Sequence, residues 1–374
     1  MKIIATTTFG LESVLKRELE NLGYKAEVEN GRLALEGDLG DLKDIYKLNL
    51  RLRTADRVLI EFLNFKALSF EELFDGVSGF PWEDFIPENA NFIVEGRSRK
   101  SKLFSISDCQ RITEKAIITR LSKIYKKSYF EKDGPRYKLE VSLLDDIASI
   151  TLDTSGEGLH KRGYREINYK APISETLAAG LVSLSYWNSK RLLCDPFCGS
   201  GTIAIEAAMI GRNIAPGLMR NFDFENFSFT DKKDFRDQKS KCYSEILLNK
   251  KLDIVASDIS YKAIEIAKNN AELMDLSQDI TFFKKDIFDL DLPDDYGVLI
   301  TNPPYGVRIK DQVSDLQKEL GKLYKSLKTW SFYIITSDEN FEKDFNKKAD
   351  RNRKLYNGGI RTYYYQYYGP KPKK

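Results

Sequence analysis

The hydrophobic pattern of the chain changes near residue 155, and this change is the first guide to its architecture. Before it, amphipathic segments such as 11–22, 39–50 and 107–126 are separated by short strand-like runs. After residue 164, short apolar runs and helical patterns alternate regularly. The first pattern predicts an α+β region, and the second predicts a parallel sheet with helices on both faces.

The second pattern is regular enough to give individual elements. Strands are predicted at 191–194, 253–257, 280–284, 297–301 and 330–336. Helices are predicted at 172–187, 202–210, 262–274 and 313–327. A hairpin that turns at Asn357-Gly-Gly359 is expected near the end.

The distribution of charged residues along the chain indicates a kind of binding partner. The net charge is only +3, but residues 95–138 hold 13 Lys and Arg against 5 Asp and Glu, and residues 350–374 hold 7 against 1. Two basic regions on a nearly neutral chain indicate a polyanionic partner. An ordinary solvated helix face would also explain the charges of 107–126.

Several classes of protein are not expected. No run approaches the ~18 apolar residues of a membrane span, and residues 1–10 lack the apolar stretch of a signal peptide. Four cysteines are too few for a disulfide scaffold, and the single histidine, His160, lies far along the chain from Cys194 and Cys198. The sequence therefore predicts a cytoplasmic protein with no membrane partner and no metal.

Candidate ligand-binding groups lie where the predicted strands end. In Leu192-Leu-Cys-Asp-Pro-Phe-Cys-Gly-Ser-Gly-Thr202, the glycines allow close approach of a ligand, and the next helix offers free N–H donors. Asp258 and Asp286 end later strands, where they suit a ribose and an exocyclic amine. Either acid alone could simply cap a helix. In series, these groups favour a ligand shaped like a nucleoside.

The most specific run is Val298-Leu-Ile-Thr-Asn-Pro-Pro-Tyr-Gly306. Prolines cannot extend a sheet ladder, so they stiffen the loop and keep Asn302 close to the strand end. A simple proline turn would explain the two prolines, but not the flanking Asn302 and Tyr305.

These motifs resemble the class I S-adenosylmethionine-dependent methyltransferases that act on exocyclic amines of bases. The resemblance rests on Asp195–Thr202 and Asn302–Tyr305, and Ala171–Ala179 is similar to the helix that lies near the cofactor in that family. Gly211–Leu218 and Leu159–Arg165 resemble bacterial RNA methylases with an N-terminal THUMP domain, particularly those that make N2-methylguanosine in large-subunit (23S) ribosomal RNA.

The resemblance implies a fold and a division of the chain. The fold is α/β: a Rossmann-like, seven-stranded, mostly parallel sheet preceded by an α+β RNA-binding region. The expected segments are a ferredoxin-like subdomain at 1–60, a THUMP domain at 61–155, a linker at 156–165 and the methyltransferase domain at 166–374. A monomer is favoured.

It also implies roles for residues, with S-adenosylmethionine as the cofactor. Asp195 would lie near its amino group, Asp258 at its ribose and Asp286 at its adenine amine. The full cofactor-binding set is Asp195, Pro196, Phe197, Gly199, Ser200, Gly201, Thr202, Asp258, Ile259, Asp286 and Ile287. The catalytic set is Asn302, Pro303, Pro304 and Tyr305. The RNA-binding set is Arg97, Arg99, Lys100, Arg111, Lys115 and Lys123.

In the catalytic set, the Asn302 side-chain oxygen and the Pro303 carbonyl would accept the two N–H bonds of the target amine. Tyr305 would stack on a flipped-out base. Two other interpretations stay open: a DNA adenine-N6 or cytosine-N4 methylase, and a non-catalytic RNA-binding protein that keeps the fold. Residues 212–252, an insertion in the expected βαβ unit, could be a flap over the substrate or an inert excursion.

Overall fold

The computed structural model describes residues 2–29, 31–36, 42–165, 173–304 and 310–371. Within these residues the strands form two seven-stranded sheets, one in each half of the chain. The hydrophobic core is nearly continuous between the halves, and a second apolar cluster lies on the other side of the C-terminal sheet.

The first sheet runs through both predicted N-terminal units. Its spatial order is β2-β3-β1-β4-β7-β6-β5, antiparallel except for the β5–β6 pair. The strands are β1 (Lys2–Thr7), β2 (Glu27–Glu29), β3 (Arg32–Glu36), β4 (Ala55–Lys66), β5 (Asn91–Arg99), β6 (Arg136–Leu144) and β7 (Ile147–Asp153). The predicted boundary between residues 60 and 61 falls inside β4, which pairs with β1 on one side and β7 on the other.

Among the described residues, four α-helices accompany this sheet, because each has an apolar face that must be buried. They are α1 (Glu12–Asn21), α2 (Lys43–Arg51), α3 (Phe70–Ser78) and α4 (Ile106–Tyr125). The α4 helix buries Cys109, Ala116, Ile117 and Leu121. Three of its basic residues are exposed, and the fourth, Arg120, is half-buried and paired with Glu83.

The second sheet has the order β10-β9-β8-β11-β12-β14-β13. Only β14 runs against the other six strands, so the prediction of a seven-stranded, mostly parallel sheet is confirmed. The strands are β8 (Leu193–Asp195), β9 (Ile254–Asp258), β10 (Ile280–Lys284), β11 (Val298–Thr301), β12 (Ser331–Thr336), β13 (Arg351–Asn357) and β14 (Ile360–Tyr367). Every residue of β8, β11 and β12 is buried, as expected for strands covered on both faces.

In the described part of this half there are six α-helices. They are α5 (Glu175–Leu184), α6 (Thr202–Gly211), α7 (Lys232–Ser244), α8 (Tyr261–Leu273), α9 (Lys310–Ser326) and α10 (Phe341–Phe345). The predicted start of α5 at residue 172 lies outside the described residues, and the helix ends at Leu184 rather than near Trp187.

Residues 212–252 connect the two halves. Helix α7 packs on α2, the Arg51 guanidinium bonds Glu245 at 2.5 Å, and Tyr137 stacks on Phe227 with ring centroids 4.5 Å apart. The described structure of this segment therefore lies against the N-terminal half.

The segment predicted as a linker is packed into the protein. Arg162 is buried, forms an ion pair with Glu206 of α6 at 3.2 Å, and donates to the carbonyl of Arg53 at 2.5 Å. Arg220 donates to three backbone carbonyls of this segment, those of Glu157, Gly158 and Lys161, and to that of Ser155 just before it. These bonds fix the N-terminal half against the C-terminal sheet.

Candidate active site

The predicted ligand groups meet at the carboxyl edge of the second sheet. Strands β10, β9, β8 and β11 are neighbours in that order, and they run in the same direction. Asp258 and Asp195 end β9 and β8, Asp286 follows β10, and Asn302 follows β11. The structure therefore brings together four groups that the sequence separates by more than 100 residues.

The glycine loop between β8 and α6 has two positions that favour glycine. Gly199 has φ +52°, and a Cβ added there would meet no atom within 4 Å, so its open side faces free space. Gly201 has φ +82°, and its added Cβ would lie 3.0 Å from Ala267 Cβ. Gly199 thus leaves room at the sheet edge, and Gly201 permits close helix packing.

The loop is tied to the neighbouring strand ends. The Gly199 N–H donates to Asp258 Oδ2 at 3.1 Å, and the Ser260 N–H donates to the other oxygen at 2.8 Å. Asp258 therefore keeps a half-buried carboxylate at the loop. Ser200 is buried, and its Oγ lies 3.3 Å from Thr202 Oγ1.

Asp195 is the most buried acid of the predicted set, with 1% of its surface exposed. Its Oδ1 accepts hydrogen bonds from Thr301 Oγ1 at 2.6 Å and from the Phe197 N–H at 3.2 Å. Burial raises the pKa of Asp195 to about 7, although these two bonds act in the opposite direction. A cation beside this carboxylate would favour its ionised form.

The remaining predicted cofactor residues differ in exposure. Ile259 is exposed after Asp258, and Asp286 is half-buried and accepts from the Phe288 N–H at 3.2 Å. Ile287 is buried in the second apolar cluster, as a core residue is. Pro196 is buried, and Phe197 is half-buried in the glycine loop.

Asn302 carries an unsatisfied atom. Its Oδ1 is buried and has no hydrogen-bond partner among the described residues. A buried acceptor without a partner is rare and costs about 1–3 kcal/mol. Pro303 is buried and Pro304 is exposed. Tyr305, the predicted stacking residue, lies outside the described residues, so its role stays a prediction.

A buried ion pair beside the glycine loop was missed from the sequence. Arg165 donates to Thr202 Oγ1 at 2.7 Å, and its guanidinium lies 3.4 Å from Glu175 Oε1. Glu175 is 2% exposed, and burial raises the pKa of its carboxyl. Glu175 Oε2 and Arg165 Nε are buried without a partner in the described structure. The signal was present: Glu175 is the only acid in an otherwise apolar helix.

A cavity of about 700 Å³ adjoins this pair. Its walls are formed by some of the residues in 157–165 and 219–226, together with Glu175. The volume falls in the range of small-molecule and nucleotide sites. Arg165 lines this cavity and also donates to Thr202 Oγ1, but no residue of 195–202 lines it.

The six predicted RNA-binding residues are all exposed on one part of the first sheet and α4. Arg97 pairs with Glu140 at 2.9 Å, and Arg111 pairs with Asp108 in the same helix. No ion pair is recorded in the described structure for the other four, which are Arg99, Lys100, Lys115 and Lys123. Phe104 lies between the two groups and is 81% exposed, a feature that the sequence analysis did not single out.

Comparison with known proteins identifies the C-terminal half. Residues 162–366 match the sequence model of the RMKL-like methyltransferase domain, more than half of the chain. The chain belongs to the RMKL-like methyltransferase family. In the N-terminal half, residues 2–59 match the ferredoxin-like domain of RlmL, and residues 67–153 match the THUMP domain.

Two relatives of this RMKL-like methyltransferase are informative. A protein of Bacillus subtilis (strain 168) named putative RNA methyltransferase YpsC is 46% identical over 98% of this chain and 95% of its own length. The ribosomal RNA large subunit methyltransferase K/L of Marinomonas sp. (strain MWYL1) is 30% identical over 97% of this chain. The chain spans about half the length of such K/L relatives, 52% in this case.

Solved structures agree with the fold. A putative methyltransferase crystallised with S-adenosylhomocysteine (SAH) is 41% identical, with a TM-score of 0.93 over 100% of this chain and 99% of that one. A Listeria monocytogenes protein described as a predicted N6-adenine-specific DNA methylase is 45% identical, with a TM-score of 0.94 over 99% and 96% of the two chains. The predicted fold class and the cofactor S-adenosylmethionine, of which SAH is the demethylated product, are confirmed.

The residues at the sheet edge fit this cofactor. Asp195 and Glu175 are buried carboxylates that can receive an ammonium group, and Arg165 offers a buried N–H with no partner in the described structure. Gly199 leaves the loop backbone open, and Asp258 is placed as an acceptor for hydroxyls. Within the described ranges no helix is long and apolar enough to cross a bilayer, and no cluster of three or more candidate metal ligands occurs.

Proposed function

We propose that this methyltransferase methylates an exocyclic amine of an RNA base, and that its preferred target is guanine N2 in large-subunit ribosomal RNA. The observation that carries the choice of an amine is the buried Asn302 Oδ1 at the end of β11, which has no partner among the described residues. Within that part of the chain it is an acceptor without a donor, next to the strand that carries Asp195.

The chemistry of a base amine explains why such an acceptor is needed. The amine lone pair is delocalised into the ring, so the nitrogen is a poor nucleophile. A hydrogen bond from the amine to Asn302 Oδ1, with the Pro303 carbonyl as the second acceptor, would favour a pyramidal nitrogen and free the lone pair. The cofactor supplies an activated methyl group, and the residues position the amine in line with it.

Features of the N-terminal half support RNA as the substrate. Arg99, Lys100, Lys115 and Lys123 are exposed cations, and they can neutralise backbone phosphates. Phe104 offers an exposed ring, onto which an unpaired base can stack. The THUMP match and the names of the YpsC and K/L relatives point in the same direction. Guanine N2 rests on family resemblance.

A second candidate is methylation of adenine N6 in DNA. It is favoured by the description of the Listeria relative, and the Asn302 loop suits either amine. The two candidates share the cofactor site and the acceptor, so they differ in the nucleic acid that is bound and in the base whose amine is presented.

The decisive experiment is methyl transfer from labelled cofactor to protein-free ribosomal RNA from a strain lacking the gene, to bulk tRNA and to duplex DNA. Modified nucleosides are then identified by mass spectrometry. N2-methylguanosine in ribosomal RNA is the expected product. Label confined to DNA would support the second candidate, and label confined to tRNA would refute the assigned RNA.

The same assay tests Asn302. The Asn302→Ala variant should lose transfer, with a rate at least about a hundredfold lower, while cofactor affinity by calorimetry stays within about twofold of wild type. A large loss of cofactor affinity would contradict the role given to this side chain.

A further inference from the structure

An aromatic pair made of an exposed Phe9 and a half-buried Tyr356 joins the two halves of the protein. Phe9 follows β1 and is 52% exposed, and its ring meets Tyr356 of β13 edge-on with centroids 6.5 Å apart. The Lys354 Nζ lies over the Tyr356 ring, 5.5 Å from its centroid. Neither aromatic ring is needed for the cofactor site described above.

The contact between the halves fixes this pair in place. Arg353 Nη1 donates to the Gly10 carbonyl and to Ser13 Oγ, each at 3.0 Å. Phe9 also rests on the turn before β3, where a Cβ at Gly31 would lie 3.3 Å from its ring. The pair therefore exists only because the first loop of the N-terminal half packs on the last hairpin of the other half.

Strand register places Tyr356 at the catalytic edge of the sheet. Thr301 pairs with Ile334, Thr336 with Tyr363, and Tyr363 with Lys354. Tyr356 thus lies three residues beyond the level of Asn302 and three strands to the side. At ~3.3 Å per residue and ~4.8 Å per strand, the separation is about 17 Å. That is about five stacked nucleotides at ~3.4 Å each.

A chain of hydrogen bonds links the pair to the site. Thr8, next to Phe9, donates to Asp56 Oδ2 at 3.3 Å, and Thr176 donates to Asp56 Oδ1 at 3.2 Å. Thr176 follows Glu175 at the start of α5, beside the glycine loop. The half-buried carboxylate of Asp56, in β4, thus bonds both the residue before Phe9 and the start of α5, and so holds the Phe9 loop in place relative to the catalytic edge.

The local charge is positive. Burial lowers the pKa of Arg353, and the nearby Arg351 and Arg17 lower it further, whereas Glu12 acts in the opposite direction. Lys354 is exposed beside the Tyr356 ring, and Arg351 is exposed further along the same strand. Exposed aromatic rings among cations are the usual surface for an unpaired nucleic acid strand, because bases stack on the rings while cations follow the phosphates.

We propose that Phe9 and Tyr356 form a stacking site for an unpaired base of the RNA strand that carries the target nucleotide, a few nucleotides away from it. This inference rests on the proposed RNA substrate. It assigns to the basic C-terminal hairpin a direct role in holding the strand, in addition to the basic residues of α4.

The test compares Phe9→Leu and Tyr356→Leu with wild type. Leucine keeps apolar bulk at the joint but removes the aromatic face. Each variant should bind a fluorescein-labelled oligoadenylate about five- to thirtyfold more weakly by fluorescence anisotropy, with a similar loss of kcat/KM on protein-free ribosomal RNA. Cofactor affinity by calorimetry should not change. Phe9→Trp keeps an aromatic ring at this position and should bind oligoadenylate as tightly as wild type does.

Tyr243→Leu is the matched control, because Tyr243 is an exposed aromatic residue of α7 outside this surface. It should bind oligoadenylate as wild type does. Thermal unfolding of all variants shows whether the joint is intact. Wild-type oligoadenylate affinity in both leucine variants would overturn the proposal. A Phe9→Trp variant that binds as weakly as Phe9→Leu would also overturn it. If wild type itself transferred no methyl to any RNA, the proposed function would fail instead.

Discussion

The burial of the Asp195 carboxyl is predicted to make the ligand-free protein less stable once this group is ionised, and the ionised group places a negative charge at the predicted cofactor site. Its pKa is raised from 3.8 to about 7 by burial. The folded state then holds the proton more tightly than the unfolded state, so stability falls as the pH rises from about 4 to 7 and is constant above that. At about 1.4 kcal/mol per pKa unit, the ionised carboxylate costs about 4 kcal/mol above pH 7.

The Asp195→Asn variant isolates this cost. Asparagine keeps an acceptor oxygen for Thr301 Oγ1 and the Phe197 N–H but carries no charge. The variant should therefore exceed wild type in free energy of unfolding, and the difference should grow by about 2–3 kcal/mol between pH 5 and pH 8. Urea midpoints of the ligand-free proteins, compared at equal slopes, give this difference.

Cofactor binding should change in the opposite direction. If Asp195 receives the amino group of the cofactor, as predicted, binding requires its ionised form, and wild-type affinity should fall about tenfold between pH 8 and pH 6. Asp195→Asn should bind more weakly at pH 8 and show little of this dependence. Asp237→Asn, an exposed change on α7, is the control. A stability difference that does not vary with pH would refute the reasoning.

Other changes test the glycine loop, the joint between the halves and the basic helix. Gly199→Ala should weaken cofactor binding about tenfold, because its Cβ enters the open space where the cofactor is predicted to lie. Gly201→Ala should mainly lower the urea midpoint, because its Cβ crowds α8. Equal effects of the two changes on cofactor affinity would contradict this. Arg162→Leu should cost about 3–5 kcal/mol of unfolding free energy by leaving Glu206 buried without its cation, and an unchanged midpoint would refute it. Replacing Arg111, Lys115 and Lys123 together by glutamine should lower the slope of the logarithm of RNA affinity against the logarithm of salt concentration by about 2. An unchanged slope would show that they are ordinary solvated side chains.

The second sheet could be predicted because each of its strands has a recognisable pattern in its own local sequence. Strands β8 and β11 are short apolar runs buried on both faces, and each is followed by a motif that ends it. The segment α7 shows the opposite case: only Phe235 and Cys242 of its 13 residues are buried. Two apolar positions in a charged helix give too weak a period to be recognised.

Pairing over long distances could not be predicted. Nothing in β4 alone shows that it joins β1 to β7 and so makes one sheet of two expected units. The same limit applies to the site. The sequence identifies Asp195 and Asn302 as separate motifs, but the bond from Thr301 to Asp195 and the ion pair of Arg165 with Glu175 depend on which strands and segments become neighbours.

The way the halves are joined has a consequence for target choice. Arg162 and Asp56 tie the N-terminal half to the elements that carry Glu206 and Thr176, and Arg220 adds four bonds to the connecting segment. Most of these groups are buried, so moving one half against the other would expose unpaired charges. The basic face of α4 is therefore held at a fixed distance from Asn302. Under the proposed function, an RNA bound to α4 would be selected by the spacing between its docking element and its target base, which a flexible linker would not hold constant.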